Sequence, residues 1–281
     1  MKRFIQGPVR EQRPLSTKPY DRWITPDGET TAEFRRTSSG YLVRFPDTAD
    51  FVVDHEAGSA TGYPANEATQ IETRTLFHNA IAPVMGNHRG ELHLHASAVR
   101  IGARAIAFVG SSRSGKTTLA AAFARAGFAA LTEDVLALEP TGAGYLVAPG
   151  RPVVRLFPDS AAELFGTAGN PEDENAKREY PAGTAIPFET ARLPLAAIFL
   201  LEEDASESVQ IAPVLPPTAM ARLVPQSFIL DVEDRHRMRG HFARLGQLAE
   251  SVPCYALDYP RRYDALNDVI GAVRDRMEND L

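Results

Sequence analysis

The chain has 281 residues, of which 44% are apolar, and carries a formal charge of −6 from 36 acidic and 30 basic side chains. That length allows one large or two modest domains with a real core, and the acidic balance argues against a dedicated nucleic-acid binder, which carries a basic face. The lone Cys254 excludes a disulfide within the chain, Met1 to Pro14 lacks the apolar run of a secretory signal, and no segment approaches the roughly 20 apolar residues of a membrane span. A cytoplasmic protein is expected.

Residues 1–30, rich in Pro, Arg and Thr, read as loop with room for one strand. From Thr31 to Asp54 short strands follow, with Gly40 to Phe45 and Phe51 to Val53 on either side of a Pro-Asp turn. Leu76, Phe77, Ala80, Ile81 and Val84 fall at helical spacing and predict a helix over 67–85 that Pro83 kinks or ends. Gly86 and Gly90 mark its exit. The boundary falls near 88, with a small β-rich part before it (1–88) and a core after it (89–281).

Leu92, Leu94 and Ala96 alternate with His93, His95 and Ser97, as in one strand, and Ala105 to Val109 is the continuous apolar run of a strand buried on both faces. Lys116 to Ala126 reads as a helix with Gly127 at its C-terminal cap. Phe128 to Leu131 and Val135 to Leu138 read as strands on either side of Glu133-Asp134. Residues 167–190 read as a long polar loop placed to close over a site. Leu195 to Leu201 and Tyr255 to Leu257 read as strands, and 234–250 and 266–277 as helices. Alternating strands and helices after residue 90 predict an α/β core.

Gly110-Ser111-Ser112-Arg113-Ser114-Gly115-Lys116-Thr117 matches the Walker A pattern between a predicted buried strand and a predicted helix. The glycines let successive N–H groups turn toward anionic oxygens, and the helix start aims its positive end at the same place. Lys116 supplies a cation for the β and γ phosphates, and the Thr117 hydroxyl is a ligand for Mg²⁺. Arg113 is either an extra phosphate contact or a solvated side chain. Glu133-Asp134, at the end of a predicted strand, reads either as a metal-holding and proton-accepting pair or as an exposed turn. His93 and His95 read as a zinc-binding pair, as a plain polar strand face, or, for His95, as part of the nucleotide site.

His95-Ala96-Ser97-Ala98-Val99, then Gly110 to Thr118, then Glu133-Asp134, resembles the catalytic core of the HPr kinase/phosphorylase superfamily. Gly110 follows His95 by 15 positions, and Glu133 and Asp134 follow Lys116 by 17 and 18. The resemblance implies a P-loop core of carboxykinase-like fold using ATP and Mg²⁺, with the segment through Thr118 on the nucleotide. It implies that Lys116 binds the donor phosphates, that Thr117 and Asp134 bind Mg²⁺, that Glu133 and Asp134 share the base and metal roles, and that His95 lines the site. It also implies a homo-oligomer. The sequence departs from the family in having Glu133 where an aspartate is usual. It also lacks the family's Glu-x-Arg-Gly segment, with Pro149 to Leu156 in that place, so neither phosphorolysis nor HPr itself is expected. Tyr41 to Phe45, Asp50-Phe51 and the Leu94 to Val99 strand look like shorter HPr-kinase-like proteins, some of which phosphorylate a serine of a lasso-peptide precursor.

The reading is therefore an ATP-dependent kinase acting on a serine hydroxyl of a peptide or small protein, with neither nucleic acid nor membrane as partner. The alternatives are a kinase for a small hydroxylated metabolite such as free serine, and a non-catalytic ATP sensor. No base-reading motif chooses ATP over GTP.

Overall fold

The computed structural model describes residues 2–25, 27–166, 177–183, 186–203 and 206–279. The chain divides into two compact units, Met1–His93 with Phe228–His241, and Leu94–Ser227 with Phe242–Leu281. The second unit carries the phosphate loop.

The first unit is built on β1 (Arg3–Gln6), β2 (Asp21–Ile24), β3 (Thr30–Thr37), β4 (Gly40–Phe45), β5 (Ala49–Asp54) and β6 (Ser59–Pro64), ordered β1-β6-β5-β4-β3-β2. Residues 1–30 thus hold two strands, and β1 adds parallel to β6. In β4 the side chains Tyr41, Val43 and Phe45 are buried while Leu42 and Arg44 between them are half-buried, the alternation of a sheet with one covered face.

The predicted helix runs further than expected. α1 (Gln70–Leu76) passes through a π-turn at Phe77–Ile81 into α2 (Ala82–His88). The Ala82 N–H bonds the Phe77 carbonyl five residues back, which shifts the ladder just where Pro83 has no N–H to give, so the proline neither ends nor breaks the helix. Gly86 lies inside α2, and Gly90, at φ 92°, makes the exit. Phe228–His241 joins this unit through Asp231. Its carboxylate takes a two-pronged bond from Arg36 (Nε 2.9 Å, Nη2 2.5 Å) and one from the Tyr41 hydroxyl at 3.1 Å.

The second unit takes in the end of β7 (Leu92–Leu94), then β8 (Ala96–Ile101), β9 (Arg104–Val109), α3 (Lys116–Arg125), β10 (Ala130–Thr132), β11 (Leu136–Thr141) and β12 (Gly144–Ala148). Next come β13 (Val153–Leu156), α4 (Pro158–Phe165), β14 (Arg178–Pro181), β15 (Leu193–Leu201), β16 (Gln210–Val214) and α5 (Pro216–Leu223). The latter part of α6 (Arg235–Ser251), β17 (Cys254–Asp258) and α7 (Leu266–Asn279) complete it. Its mixed sheet runs β10-β8-β9-β15-β12-β11, with β17 beside β15 and β16 beside β17. β9, β15 and β17 are mutually parallel, while β8 returns antiparallel to β9. This is an α/β arrangement with a parallel centre and antiparallel flanks. Of the stretch read as one loop over 167–190, Arg178–Pro181 is instead strand, pairing with β13, because Tyr180 and its neighbours complete a two-stranded ribbon. Residues 167–176 and 184–185 of that stretch lie outside the described residues. Among the described residues no helix is long and apolar enough to cross a membrane.

His88, at the end of α2, is buried edge-on to His55, with ring centroids 4.9 Å apart, and its Nε2 has no hydrogen-bond partner. Burial, then the Arg237 charge and His55, push its pKa down from 6.5 to about 4. Between those values the unfolded chain binds the proton that folded His88 refuses, so stability is lost as pH falls from 6.5 toward 4. Denaturant unfolding at pH 7 and pH 5 should show that loss, approaching roughly 2–3 kcal/mol by the lower end of the window. His88→Gln should make the slope shallower without abolishing it, because His93 and His95 are also held down at about 4.

Candidate functional site

The phosphate loop hangs between two buried elements. Ala105 to Val109 of β9 are fully buried, and beneath the loop Phe108 stacks with Phe123 of α3 at 5.4 Å and with Phe199 of β15 at 6.1 Å. These contacts fix where β9 ends and α3 begins. Gly115 caps α3 at φ 95°, a conformation that favours glycine, and a Cβ there would meet the Tyr259 hydroxyl at 2.8 Å. Lys116 folds back so that Nζ donates to the carbonyls of Gly110 at 2.9 Å and Ser111 at 2.8 Å. Ser114 Oγ is buried without a partner, which marks the loop interior as a place for a polar ligand. Ser112 and Arg113 are exposed, Arg113 at φ 65°, and the Thr118 hydroxyl faces Ser160 of α4 at 3.5 Å.

The acidic pair is brought to the loop by a strained turn. After β10, the Val135 N–H bonds the Glu133 carbonyl at 2.9 Å, closing a γ-turn over Asp134, whose φ is 68°. Thr132 Oγ1 braces the turn by donating to the Val135 carbonyl at 2.6 Å. A non-glycine residue held there costs on the order of 1–3 kcal/mol and persists only where its surroundings over-determine it. The turn points both carboxylates inward. Thr117 Oγ1 donates to Glu133 Oε1 at 2.8 Å, so the acid beside the predicted metal hydroxyl is Glu133. Both acidic side chains are under a tenth exposed, which removes the reading of Glu133-Asp134 as an exposed turn.

Two cations answer them from the β13–β14 ribbon. Arg155 Nη1 donates to Asp134 Oδ2 at 2.7 Å. Lys177, just before β14, places Nζ at 3.2 Å from Thr117 Oγ1, 3.3 Å from Glu133 Oε1 and 3.7 Å from Asp134 Oδ1. Arg151, just ahead of β13, instead makes a two-pronged pair with Glu179 at 3.0 Å.

The two histidines do not act as a pair. β7 ends at Leu94, the chain bends at His95, and β8 starts at Ala96, so the predicted single strand is two. His93 Nδ1 lies 3.2 Å from Asn87 Oδ1. His95 Nδ1 lies 2.9 Å from the Asp134 carbonyl; a carbonyl only accepts, so Nδ1 carries the proton and the ring braces the acidic turn. Burial, then the Lys116 charge, hold His95 down at about 4, so it is neutral near pH 7.

The same environment separates the acids. Burial, then the Asp134 charge, push Glu133 up to about 8. Burial also raises Asp134, but Lys177, His95 and Arg155 outweigh it and hold the group at about 2. Lys116 is pushed down to about 8 by burial and then by Lys177.

Among the described residues no cluster of three or more His, Cys, Asp or Glu side chains stands at metal spacing. A hydroxyl and a carboxylate meeting beside a phosphate cradle nevertheless suit Mg²⁺, which takes hard oxygens and fills its remaining positions with phosphate and water. Thr117 and Glu133 are the residues that fit it.

No family model matches the chain, and no curated protein matches its sequence. Among solved structures it is similar to an Hpr(Ser) kinase/phosphatase from Coxiella burnetii, at 11% identity and a TM-score of 0.36, over 68% of this chain and 99% of that one.

Three supporting residues were not singled out in the sequence: Thr132, Tyr259 and Gly150. A Cβ on Gly150 would stand 2.4 Å from Thr132 Oγ1, the atom that braces the acidic turn, while the Gly150 N–H bonds the Leu131 carbonyl at 2.8 Å. No local signal marks this close approach. Gly150→Ala should therefore displace the turn and destabilise the protein by about 1–3 kcal/mol, the usual penalty of overpacking. Thermal unfolding measures it, and an unchanged melting temperature would contradict the geometry.

Proposed function

We propose that this chain is an ATP-dependent kinase that moves the γ-phosphate to a serine hydroxyl on a peptide or small protein, a lasso-peptide precursor among the candidate acceptors. The observation that carries the reading is the Thr117–Glu133 hydrogen bond of 2.8 Å beside a loop whose lysine is buried within it. That contact joins the hydroxyl of a Walker A loop to a carboxylate from the turn after β10, the arrangement phosphoryl transfer needs and a serine-rich turn has no cause to build.

Roles follow from position. Loop N–H groups and Lys116 cradle the donor phosphates, with Ser114 Oγ available to a phosphate oxygen. Thr117 and Glu133 hold Mg²⁺, which when bound supplies charge neutralisation across the phosphate oxygens. This moves the metal role expected of Asp134 to Glu133 on the strength of the Thr117 contact. Asp134 orients the acceptor hydroxyl and takes its proton, and anionic phosphates drawn close to it raise its proton affinity from the low value of the free site. His95 acts as a positioning residue through the Asp134 carbonyl. Arg155 keeps the Asp134 carboxylate aimed, and its guanidinium neutralises charge there.

Incubation with γ-labelled ATP, Mg²⁺ and serine-containing peptides tests the reading. Label should appear on a peptide serine. Label reaching only free serine would favour the metabolite kinase, and label reaching only water would leave a nucleotide sensor. Lys116→Ala should lower transfer by at least about 100-fold, the scale of a lost electrostatic stabiliser. Asp134→Asn should do the same through loss of the proton acceptor, again about 100-fold or more; transfer at the wild-type rate in either variant would move the chemistry elsewhere.

A further inference from the structure

Lys177 stands where the proposed metal would. Its ammonium faces Thr117 Oγ1 at 3.2 Å and Glu133 Oε1 at 3.3 Å, the two oxygens assigned to Mg²⁺, and lies 3.7 Å from Asp134 Oδ1. We propose that Lys177 is a tethered counter-cation of the metal position, holding Thr117 and Glu133 together in the free protein and giving way when a divalent cation takes those oxygens. The inference rests on the reading of Thr117 and Glu133 as the metal donors.

The geometry makes the two cations exclusive. Mg²⁺ sits about 2.1 Å from its oxygen ligands and keeps a strict octahedron. An ammonium bonded to the same two oxygens crowds that shell and repels the metal as a like charge. Lys177 is also built to leave. Its side chain is 26% exposed, against 4% for Glu133, and lysine carries its charge on a four-carbon stem with three rotatable donors. Its backbone is anchored at the start of β14, whose ladder with β13 runs from Val153–Pro181 to Leu156–Arg178. The released ammonium therefore remains within reach of the loop, where donor phosphates are its natural partner. Arg155 differs: it bonds Asp134 Oδ2, on the carboxylate not assigned to the metal, so it can stay when a metal arrives.

The tether has a function beyond filling a gap. Without it, two adjacent buried carboxylates would face each other beside an open loop. With it, the metal position is formed before the metal binds, and divalent cation alone is a poor competitor. Binding of metal together with phosphates gains twice, because the displaced ammonium acquires an anion.

Mn²⁺ binding without nucleotide, read by electron paramagnetic resonance on the full chain, tests this independently of turnover. Lys177→Met keeps the stem and removes the charge, and should tighten Mn²⁺ binding by about tenfold or more, the scale of one close charge contact. Arg151→Met removes a nearby cation that pairs with Glu179 and bonds neither acid, and should change Mn²⁺ binding by less than about threefold. Equal tightening in both variants would reduce the effect to general charge and overturn the tether, as would Mn²⁺ binding in Lys177→Met that matches wild type. A second measurement needs no variant. Acylation of Lys177 by an amine-reactive ester, followed by peptide mass spectrometry, should accelerate when Mn²⁺ is added; an unchanged rate also overturns the inference. Thr117→Ala in the Lys177→Met background separates the two levels of the argument. Mn²⁺ retained there places the metal elsewhere and sinks the assignment of its donors, whereas Mn²⁺ lost there with no Lys177 effect sinks only the tether.

Discussion

Two adjacent carboxylates buried against a phosphate loop impose the constraint around which the second unit is arranged. Removing an ion from water costs several kcal/mol even after relaxation, and like charges side by side add to that cost. The chain meets it with three cations from three places: Lys116 from the start of α3, Arg155 from β13 and Lys177 from the head of β14. The latter two are delivered by a two-stranded ribbon that stands apart from the main sheet. Its placement follows from electrostatics, since its two site-facing residues are the ones that bond the acids. Arg151, just ahead of the ribbon, pairs with Glu179 on it and leaves Arg155 to Asp134.

Charge alone does not aim a carboxylate. Asp134 is held at positive φ by the bond from the Val135 N–H to the Glu133 carbonyl, by Thr132 beneath the turn, and by His95 on its own carbonyl. Gly150 then closes over Thr132 with no room for a side chain. Two supports lie within the turn and two, His95 and Gly150, arrive from elsewhere in the chain, which together let an aspartate rest in a conformation that would otherwise relax. The strain lies on the residue assigned the proton transfer, where a fixed direction matters most.

What the sequence discloses follows the range of the interactions. The phosphate loop, the strand before it and the helix after it are local: a buried run, two glycines and a helix closed by Gly127 lie within about two dozen positions. The acidic pair was visible as a pair, but its burial was not, because burial depends on Arg155 and Lys177 arriving from 21 and 44 positions away. β14 was hidden because Arg-Glu-Tyr-Pro is too short and too polar to alternate clearly. The return of Phe228–His241 to the first unit rests on contacts such as Asp231 with Arg36, Leu230 with Tyr20 and Phe228 with Asn87, across 195, 210 and 141 positions, which no window can report. Pro83 misled for the opposite reason. Its local rule is sound, but the π-turn ahead of it had already moved the hydrogen bond that proline would have broken.

The free site is therefore closed upon itself. Lys116 satisfies the Gly110 and Ser111 carbonyls, Lys177 satisfies Thr117 and Glu133, and Arg155 satisfies Asp134. An incoming anion and its metal do not find bare charges; they find charges already paired, and each new contact replaces an old one. In such an exchange the net gain per bond is small, because a protein–protein contact is lost for every protein–ligand contact made. Among the buried side-chain atoms of the loop the exception is Ser114 Oγ, which has no partner. A buried hydroxyl gains the full value of its first hydrogen bond, so under the proposed function a ligand that reaches inward to Ser114 would gain more than one that only draws Lys116 from its carbonyls.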